Sequence, residues 1–402
     1  MQYRNDKYGN KLSGLGFGCM RFPRGLNGKF DYGKSEELIL TAVENGVNYF
    51  DTAYLYAGSE ETLGEALRRH DLRDKVNIAT KLPFLRCGRY ADFDRLFDEQ
   101  LARLKTDRVD YYLIHNLPTP ELWRKLTDIG VEKWIAEKKA SGAIGQIGFS
   151  FHGTQDDFLK LLDAYPWEFC QIQYNYMNEN YQAGKAGLQA AAAKGLPVVI
   201  MEPLLGGRLA NGVPKKGVEI FSRENPAHTP AAWALRWLWN QPEVTVILSG
   251  MNADRPLRDN LKTAETATAG CLTEQEAAAT EAVKAIFEAA YKIPCTGCNY
   301  CMPCPKGVNI PAIFAAYNAR FANGFVTGIM QYVTSTGVNT PEKNYTVRRC
   351  VKCGACEKHC PQHIAVTREL VTATKKMEPF WFKAVIKILH NMQRSGKRDR
   401  NR

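Results

Sequence analysis

No uninterrupted apolar run in this 402-residue chain approaches the roughly 18 residues needed to span a bilayer, so no transmembrane segment is expected. The opening stretch, Met1 to Lys11, is polar and charged and lacks the apolar core of a secretory signal, which makes the cytoplasm the expected compartment. No basic motif with interleaved base-stacking aromatics occurs, so nucleic acid is a poor explanation of the net charge of +11. An acidic redox partner, an anionic cofactor or an anionic membrane surface would each account for it. The run Gly14-Leu15-Gly16-Phe17-Gly18 lacks the G-x-G-x-x-G spacing, and no helical pattern follows it, which argues against a dinucleotide-binding fold. There is no solenoid repeat and no low-complexity segment. What remains is a globular composition, 45% apolar and 24% charged, in a chain long enough for a large barrel and a small module.

Cysteine is the abundant exception. Eight of the 12 cysteines fall in two runs: Cys295, Cys298, Cys301 and Cys304, followed by Pro305, and Cys350, Cys353, Cys356 and Cys360, followed by Pro361. The second run reads C-x2-C-x2-C-x3-C-P, the ferredoxin spacing for a 4Fe–4S cluster. Three closely spaced thiolates wrap three irons, and the fourth iron takes a cysteine from elsewhere. In two-cluster ferredoxins the runs exchange that ligand. A disulfide framework would need an oxidising compartment, and zinc sites use separated C-x2-C knuckles. The first run has two residues before its last cysteine where the second has three, so one cluster instead of two stays open as an alternative.

From about residue 12 to 265, short apolar runs alternate with amphipathic stretches. The apolar runs are Leu12–Cys19, Val47–Asp51, Val76–Lys81, Val109–His115, Ala143–Ser150, Phe169–Gln173, Pro197–Glu202 and Val244–Ser249. Helix-like segments lie between them at Ser35–Asn45, Glu60–Arg69, Phe93–Leu104, Glu132–Lys139, Gly184–Lys194 and Pro230–Trp239. Eight strands alternating with helices predict an α/β fold, a (β/α)8 TIM barrel. A long connection, Pro203 to about Ala227, follows the seventh strand. Thr273–Ala290 reads as a helix leading outward, and Ile310–Phe321 as a helix between the cysteine runs. The expected organisation is a barrel over 1–270, a connecting helix over 271–290, a small, mainly helical ferredoxin-type iron–sulfur domain over 291–372, and an amphipathic, basic tail over 373–402. Within the tail, Pro379–His390 mixes aromatic and aliphatic residues with Lys383 and Lys387. It is read as docked on the protein, with weak contact to a membrane surface as the alternative.

Barrel enzymes carry their chemistry at the C-terminal ends of the strands. The second strand ends in Asp51, with Tyr56 just beyond it. The third ends in Lys81 and the fourth in His115. A lysine at the inner end of a strand needs a partner, because a buried unpaired ammonium is costly, and Asp51 can supply one. A tyrosine beside that lysine has its phenolate favoured, which suits a proton donor near neutral pH. His115 could then orient a carbonyl oxygen.

The segment Asp51–Leu67, DTAYLYAGSEETLGEAL, resembles the aldo-keto reductase signature. IGQIGFS ending at Ser150, the run QIQYN at Gln171, PLLGG at Pro203 and ALRWLWNQPEVTVILSG ending at Gly250 extend the resemblance over roughly residues 1–265. With the C-terminal cysteines, the chain resembles an iron–sulfur-bearing branch of that family. The resemblance implies hydride transfer from NADPH or NADH to a small aldehyde or ketone, a catalytic tetrad of Asp51, Tyr56, Lys81 and His115, and Tyr56 as proton donor. It implies cofactor contacts from Ser150, Gln171, Pro203, Leu204, Gly250 and Asn260. Arg255 stands where a 2′-phosphate contact is expected. The chain departs from the pattern at two places. Many members have Ser-Asn after the fifth strand, where this chain has Ser150-Phe151-His152. Pro256 occupies a position where Arg or Gln is expected.

Nicotinamide moves electrons in pairs and an iron–sulfur cluster moves them singly, so coupling the two usually needs a flavin or a similar intermediary. No flavin signature is readable. Three accounts follow: a nicotinamide-dependent reductase with structural, regulatory or electron-transferring clusters; a cluster-fed reductase linked to ferredoxin or flavin through a redox partner protein; and a nucleotide-sensing scaffold. The intact tetrad argues against the third, and the first is preferred to the second.

Overall fold

The computed structural model describes residues 1–25, 30–322, 324–337, 345–382 and 386. Most of Pro379–His390 and all of the basic stretch Arg394–Arg402 lie outside the described residues. The chain forms two compact units, Met1–Leu204 with Ala231–Ala277, and Leu205–Pro230 with Ala278–Arg402.

The first unit is built on the strands β1 (Tyr3–Asn5), β2 (Lys11–Ser13), β3 (Leu15–Gly18), β4 (Tyr49–Asp51), β5 (Asn77–Leu82), β6 (Val109–Ile114), β7 (Ile144–Phe151), β8 (Phe169–Gln173), β9 (Val198–Met201) and β10 (Val244–Ser249). Strands β3 to β10 close into a parallel barrel in which β10 pairs with β3, so the eight apolar runs are the eight barrel strands. The first run divides at Gly14. Leu15–Gly18 enters the barrel, while Lys11–Ser13 pairs with Tyr3–Asn5 in an antiparallel hairpin. Period-two reasoning did not find this hairpin, because its strands have three residues each and are partly charged. Its turn is tied to the starts of β6 and β7 through Asp6, which accepts from Tyr111 Oη at 2.7 Å and from Gln146 Nε2.

The barrel interior is filled by side chains of alternate strand residues, including Tyr49, Tyr111, Leu113, Phe169, Val199, Val246 and Leu248. A Cβ on Gly16 would lie 2.7 Å from Val246 Cγ1 and 2.8 Å from Leu248 Cδ2. The glycine-rich run of β3 therefore serves interior packing, where adding even a methyl group costs about 1–3 kcal/mol. Around the barrel, the helices Tyr32–Glu44, Ser59–Arg69, Ala91–Leu104, Val131–Ala140, Gly184–Ala193 and Pro230–Trp239 match the amphipathic stretches. Helices at Pro120–Asp128, Gln155–Ala164 and Asp254–Thr266 complete the layer. The helices starting at Tyr32 and Gln155 carry side-chain caps: Asp31 accepts from Lys34 N at 3.1 Å, and Thr154 from Asp157 N at 3.2 Å.

The second unit is mainly helical. The helices Ile310–Ala322, Phe325–Thr336 and Val366–Met377 share a core of Phe314, Tyr317, Tyr332, Leu370 and Met377. Buried Asn318 accepts from Lys292 N and Ile293 N at 3.1 and 3.0 Å and donates to Ile293 O at 2.7 Å, fixing the segment that leads into the first cysteine run. The connection after β9 is not a plain loop: it holds helices Arg208–Asn211 and Lys215–Glu224. Its residues belong to this unit, with Tyr291 Oη donating to Gly212 O at 2.7 Å. Among the described residues, no helix is long and apolar enough to cross a membrane.

Candidate active site and cysteine centres

Three neighbouring strand ends of the barrel bring four titratable groups together. Lys81 Nζ lies 2.7 Å from both carboxylate oxygens of Asp51 and 2.7 Å from Thr52 O. Both side chains are buried, so the pair is dry as well as close. Burial raises the Asp51 carboxyl above its usual range, and the Lys81 ammonium pulls against that rise. The strand carrying Lys81 is held from outside by buried Glu60, which accepts from Thr80 Oγ1 at 2.6 Å, Gln100 Nε2 at 2.7 Å and Arg103 Nη1 at 3.2 Å. This network clamps β5 to two helices and fixes the direction of Lys81.

Tyr56 sits in the turn between β4 and the helix Ser59–Arg69, where its N–H donates to Ala53 O at 2.9 Å. Lys81 Nζ is 5.1 Å from the centre of its ring, within cation–π range. His115, just beyond β6, meets the same ring edge-on with centroids 6.0 Å apart. His115 is buried and its Nδ1 has no hydrogen-bond partner among the described residues. Burial, then Lys81, then His152 drive its basicity well below the usual histidine value, so the imidazole is neutral at physiological pH. Asp51, Tyr56, Lys81 and His115 are thus one cluster.

The residues considered for a cofactor divide into two groups. Ser150 and Gln171 are register partners on β7 and β8, both buried. Ser150 Oγ accepts from Asn116 N at 2.7 Å, while Gln171 Oε1 has no partner among the described residues. Pro203 and Leu204 follow β9, and Gly250 follows β10 in an exposed position. Asn260 is buried and donates to Ser249 Oγ at 3.0 Å, so its amide already ties helix Asp254–Thr266 to β10. Arg255 stands on the first turn of that helix, its side chain 89% exposed and 3.8 Å from Asp259. Sequence reasoning missed two further groups. Gln173, two residues beyond Gln171 and so on the same face of β8, is buried with neither amide atom bonded among the described residues. His152, noted only as a departure from a pattern, is buried with Nδ1 3.0 Å from Gln182 Oε1. The alternation of Gln171 and Gln173 along one strand was the available signal for the first. Nothing in the sequence pairs His152 with Gln182.

In the second unit the cysteines line two separate spaces. Cys304, Cys350, Cys353 and Cys356 line a cavity of about 360 Å³. Cys295, Cys298, Cys301 and Cys360 line another. Cys301 also borders the first cavity, at the seam between the two. Each space takes three cysteines from one run and the fourth from the other. The backbone around them repeats: Gly297, Asn299 and Gly307 in the first run, and Lys352, Gly354 and His363 in the second, hold φ between +50° and +73° at equivalent positions. Asn, Lys and His enter that left-handed region at a cost of order 1–3 kcal/mol. Burial pushes the Cys295 thiol up to about 11 and the Cys301 thiol up to about 12. No three side chains among the described residues converge tightly enough for a single metal ion. A cubane takes one thiolate on each of its four irons, a donor set of the kind these cysteines offer.

Comparison with known proteins agrees with this division. The aldo/keto reductase family matches residues 14–284, and a 4Fe–4S dicluster domain matches residues 294–365. A D-galacturonate reductase of Fragaria ananassa is 28% identical over 286 residues, spanning 65% of this chain and 83% of its own. An NADH-specific methylglyoxal reductase of Escherichia coli is 24% identical over 296 residues, spanning 62% of this chain and 89% of its own. Among solved structures, a thermostable aldo-keto reductase in complex with the inhibitor epalrestat superposes with a TM-score of 0.56 at 28% identity, covering 70% of this chain and 100% of that one. An aldo-keto reductase from Bacillus halodurans, solved in its holo form, has the same TM-score at 21% identity, a likeness of fold.

Proposed function

Since this chain belongs to the aldo/keto reductase family and carries a C-terminal 4Fe–4S dicluster domain, we propose that it reduces a small aldehyde or ketone with NADPH or NADH, using Tyr56 as the proton donor. The observation that carries this reading is the convergence of Lys81, Asp51 and His115 on the Tyr56 ring. When bound, the nicotinamide supplies the hydride. Ser150 and Gln171 would hold its amide, with Pro203, Leu204, Gly250 and Asn260 lining the rest of the cofactor's path.

Tyr56 Oη gives its proton to the carbonyl oxygen as negative charge develops there. The Lys81 ammonium, fixed by Asp51, favours the phenolate that is left behind. Neutral His115 offers a ring N–H to the same oxygen without competing for the proton. The unbonded amide of Gln173 is a further polar group for substrate or cofactor. The cysteines would hold two clusters, one on Cys295, Cys298, Cys301 and Cys360 and the other on Cys350, Cys353, Cys356 and Cys304, matching the lining of the two spaces. Reduced thiols of this kind fit a cytoplasmic setting.

The test is Tyr56→Phe in the full chain, assayed on small aldehydes with NADPH and NADH. Turnover is expected to fall about 10²–10⁴-fold, with nicotinamide binding retained. Turnover near that of the parent protein removes Tyr56 from the mechanism.

A further inference from the structure

Of the eight clustered cysteines, Cys353 alone is exposed. It lies between Lys352 and Gly354 on the rim of the larger cavity, which Lys306, Val351 and His359 also line. Lys306, Lys352 and Lys358 are exposed, and none of them is in an ion pair with another described residue. Acidic residues are sparse here: residues 294–309 contain none, and residues 345–360 contain only Glu357. That carboxylate is already engaged, accepting from Thr367 N at 2.8 Å and Thr367 Oγ1 at 2.6 Å. On this rim, next to Cys353 in the lining, Val351 is 59% exposed. The other quartet differs. Its neighbours Thr296, Pro361, Gln362 and Ile364 are buried, and none of its cysteines is exposed.

A four-thiolate cluster is itself negative, and nearby lysines could serve only to offset that charge. Such a role would not leave apolar Val351 uncovered in the lining beside the exposed cysteine. An exposed apolar residue among charges of one sign, next to an exposed redox ligand, is the anatomy of a transient protein contact, in which charge steers the encounter.

We propose that this face is the docking surface for a small acidic one-electron carrier protein of the ferredoxin class, which reduces the cluster held by Cys304, Cys350, Cys353 and Cys356. The inference rests on the cluster reading given above. The carrier's reduced centre loses one electron and the cluster gains it. No covalent bond forms or breaks, and no proton needs to move.

The experiment uses the full chain, purified without oxygen, and an acidic bacterial ferredoxin as probe. Binding is followed by fluorescence anisotropy of the labelled ferredoxin. Electron transfer is followed by bleaching of the cluster absorbance after rapid mixing with the reduced ferredoxin, and in parallel with reduced methyl viologen, a small cation. Ferredoxin binding and bleaching should weaken steeply as salt rises. K306E/K352E/K358E should slow ferredoxin-driven bleaching by at least about tenfold while viologen still bleaches the variant at least as fast as the parent. The neutral set K306Q/K352Q/K358Q should fall between, and the salt titration of the parent needs no variant at all. Salt-independent bleaching by ferredoxin, or equal ferredoxin rates in parent and variants of equal iron content, would overturn the docking surface. Absence of iron and acid-labile sulfide in the anaerobically purified parent overturns the cluster reading itself, which separates the two failures.

Discussion

In the barrel mouth, Lys81 reaches Asp51 and Thr52 at 2.7 Å across neighbouring strands, and the surrounding protein supplies every charge that the pair needs. In the C-terminal unit, two loops with left-handed residues flank two spaces lined by the eight clustered thiols, with Cys301 bordering both. The first site is assembled by folding alone, because strand register and a buried ion pair fix its geometry. The second is expected to be completed by ligation, because metal binding and local folding are one equilibrium there. The barrel site should therefore survive loss of metal, and the cysteine unit should not.

The sharpest way to break this comparison is Cys353→Ala. Two paired clusters correspond to about eight irons per chain, and this substitution should remove about half of them while nicotinamide binding by the barrel persists. Iron analysis with electron paramagnetic resonance on reduced protein measures it. Four irons and a single cluster signal in the parent chain would refute the exchanged pairing.

On the barrel side, Asp51→Asn leaves a buried ammonium without its carboxylate. The expected loss is about 3–5 kcal/mol of barrel stability, read as a lowered thermal midpoint. D51N/K81M should recover much of that loss, since both charges are then gone, yet remain inactive. Additive losses in the double variant would show that the two residues do not act as a pair.

A smaller effect concerns pH. The folded protein keeps His115 neutral well below the ordinary value of 6.5, whereas the unfolded chain takes up a proton near that value. The contribution of His115 to stability is thus present above about pH 6.5 and drains away as pH falls below it. His115→Gln should flatten the decline in thermal midpoint between pH 7 and 5. An unchanged slope would place the acid sensitivity elsewhere. The smallest effect expected is that of Arg255→Ala. With its side chain 89% exposed, it should raise the KM for NADPH by a few-fold and leave NADH unchanged. Equal effects on both cofactors would remove Arg255 from the 2′-phosphate site.

Much of the fold was legible because parallel strands buried on both faces write continuous apolar runs. All eight barrel strands were visible this way, together with the helix Pro230–Trp239. The hairpin Tyr3–Asn5 with Lys11–Ser13 was not, since its pairing is fixed by contacts such as Tyr111 to Asp6, 105 residues apart. Helices Pro120–Asp128 and Asp254–Thr266 were missed because they are strongly polar and only a narrow stripe of each is buried.

The sequence alone named the candidate residues of the two centres. Asp51, Tyr56, Lys81 and His115 stand at strand ends that any eight-stranded reading would bring to one face, and cysteine spacing is a local property that survives without a fold. Tertiary structure decided the rest. It made His115 neutral by burying it beside Lys81 and His152. It left Gln173 buried without a partner among the described residues, and it tied Asn260 to Ser249. It also set cysteines of both runs around each of two spaces and left Cys353 as the exposed one of the eight. The reason is the same in each case: burial, and the neighbours that come with it, depend on residues far apart in the chain, whereas residue identity and spacing do not.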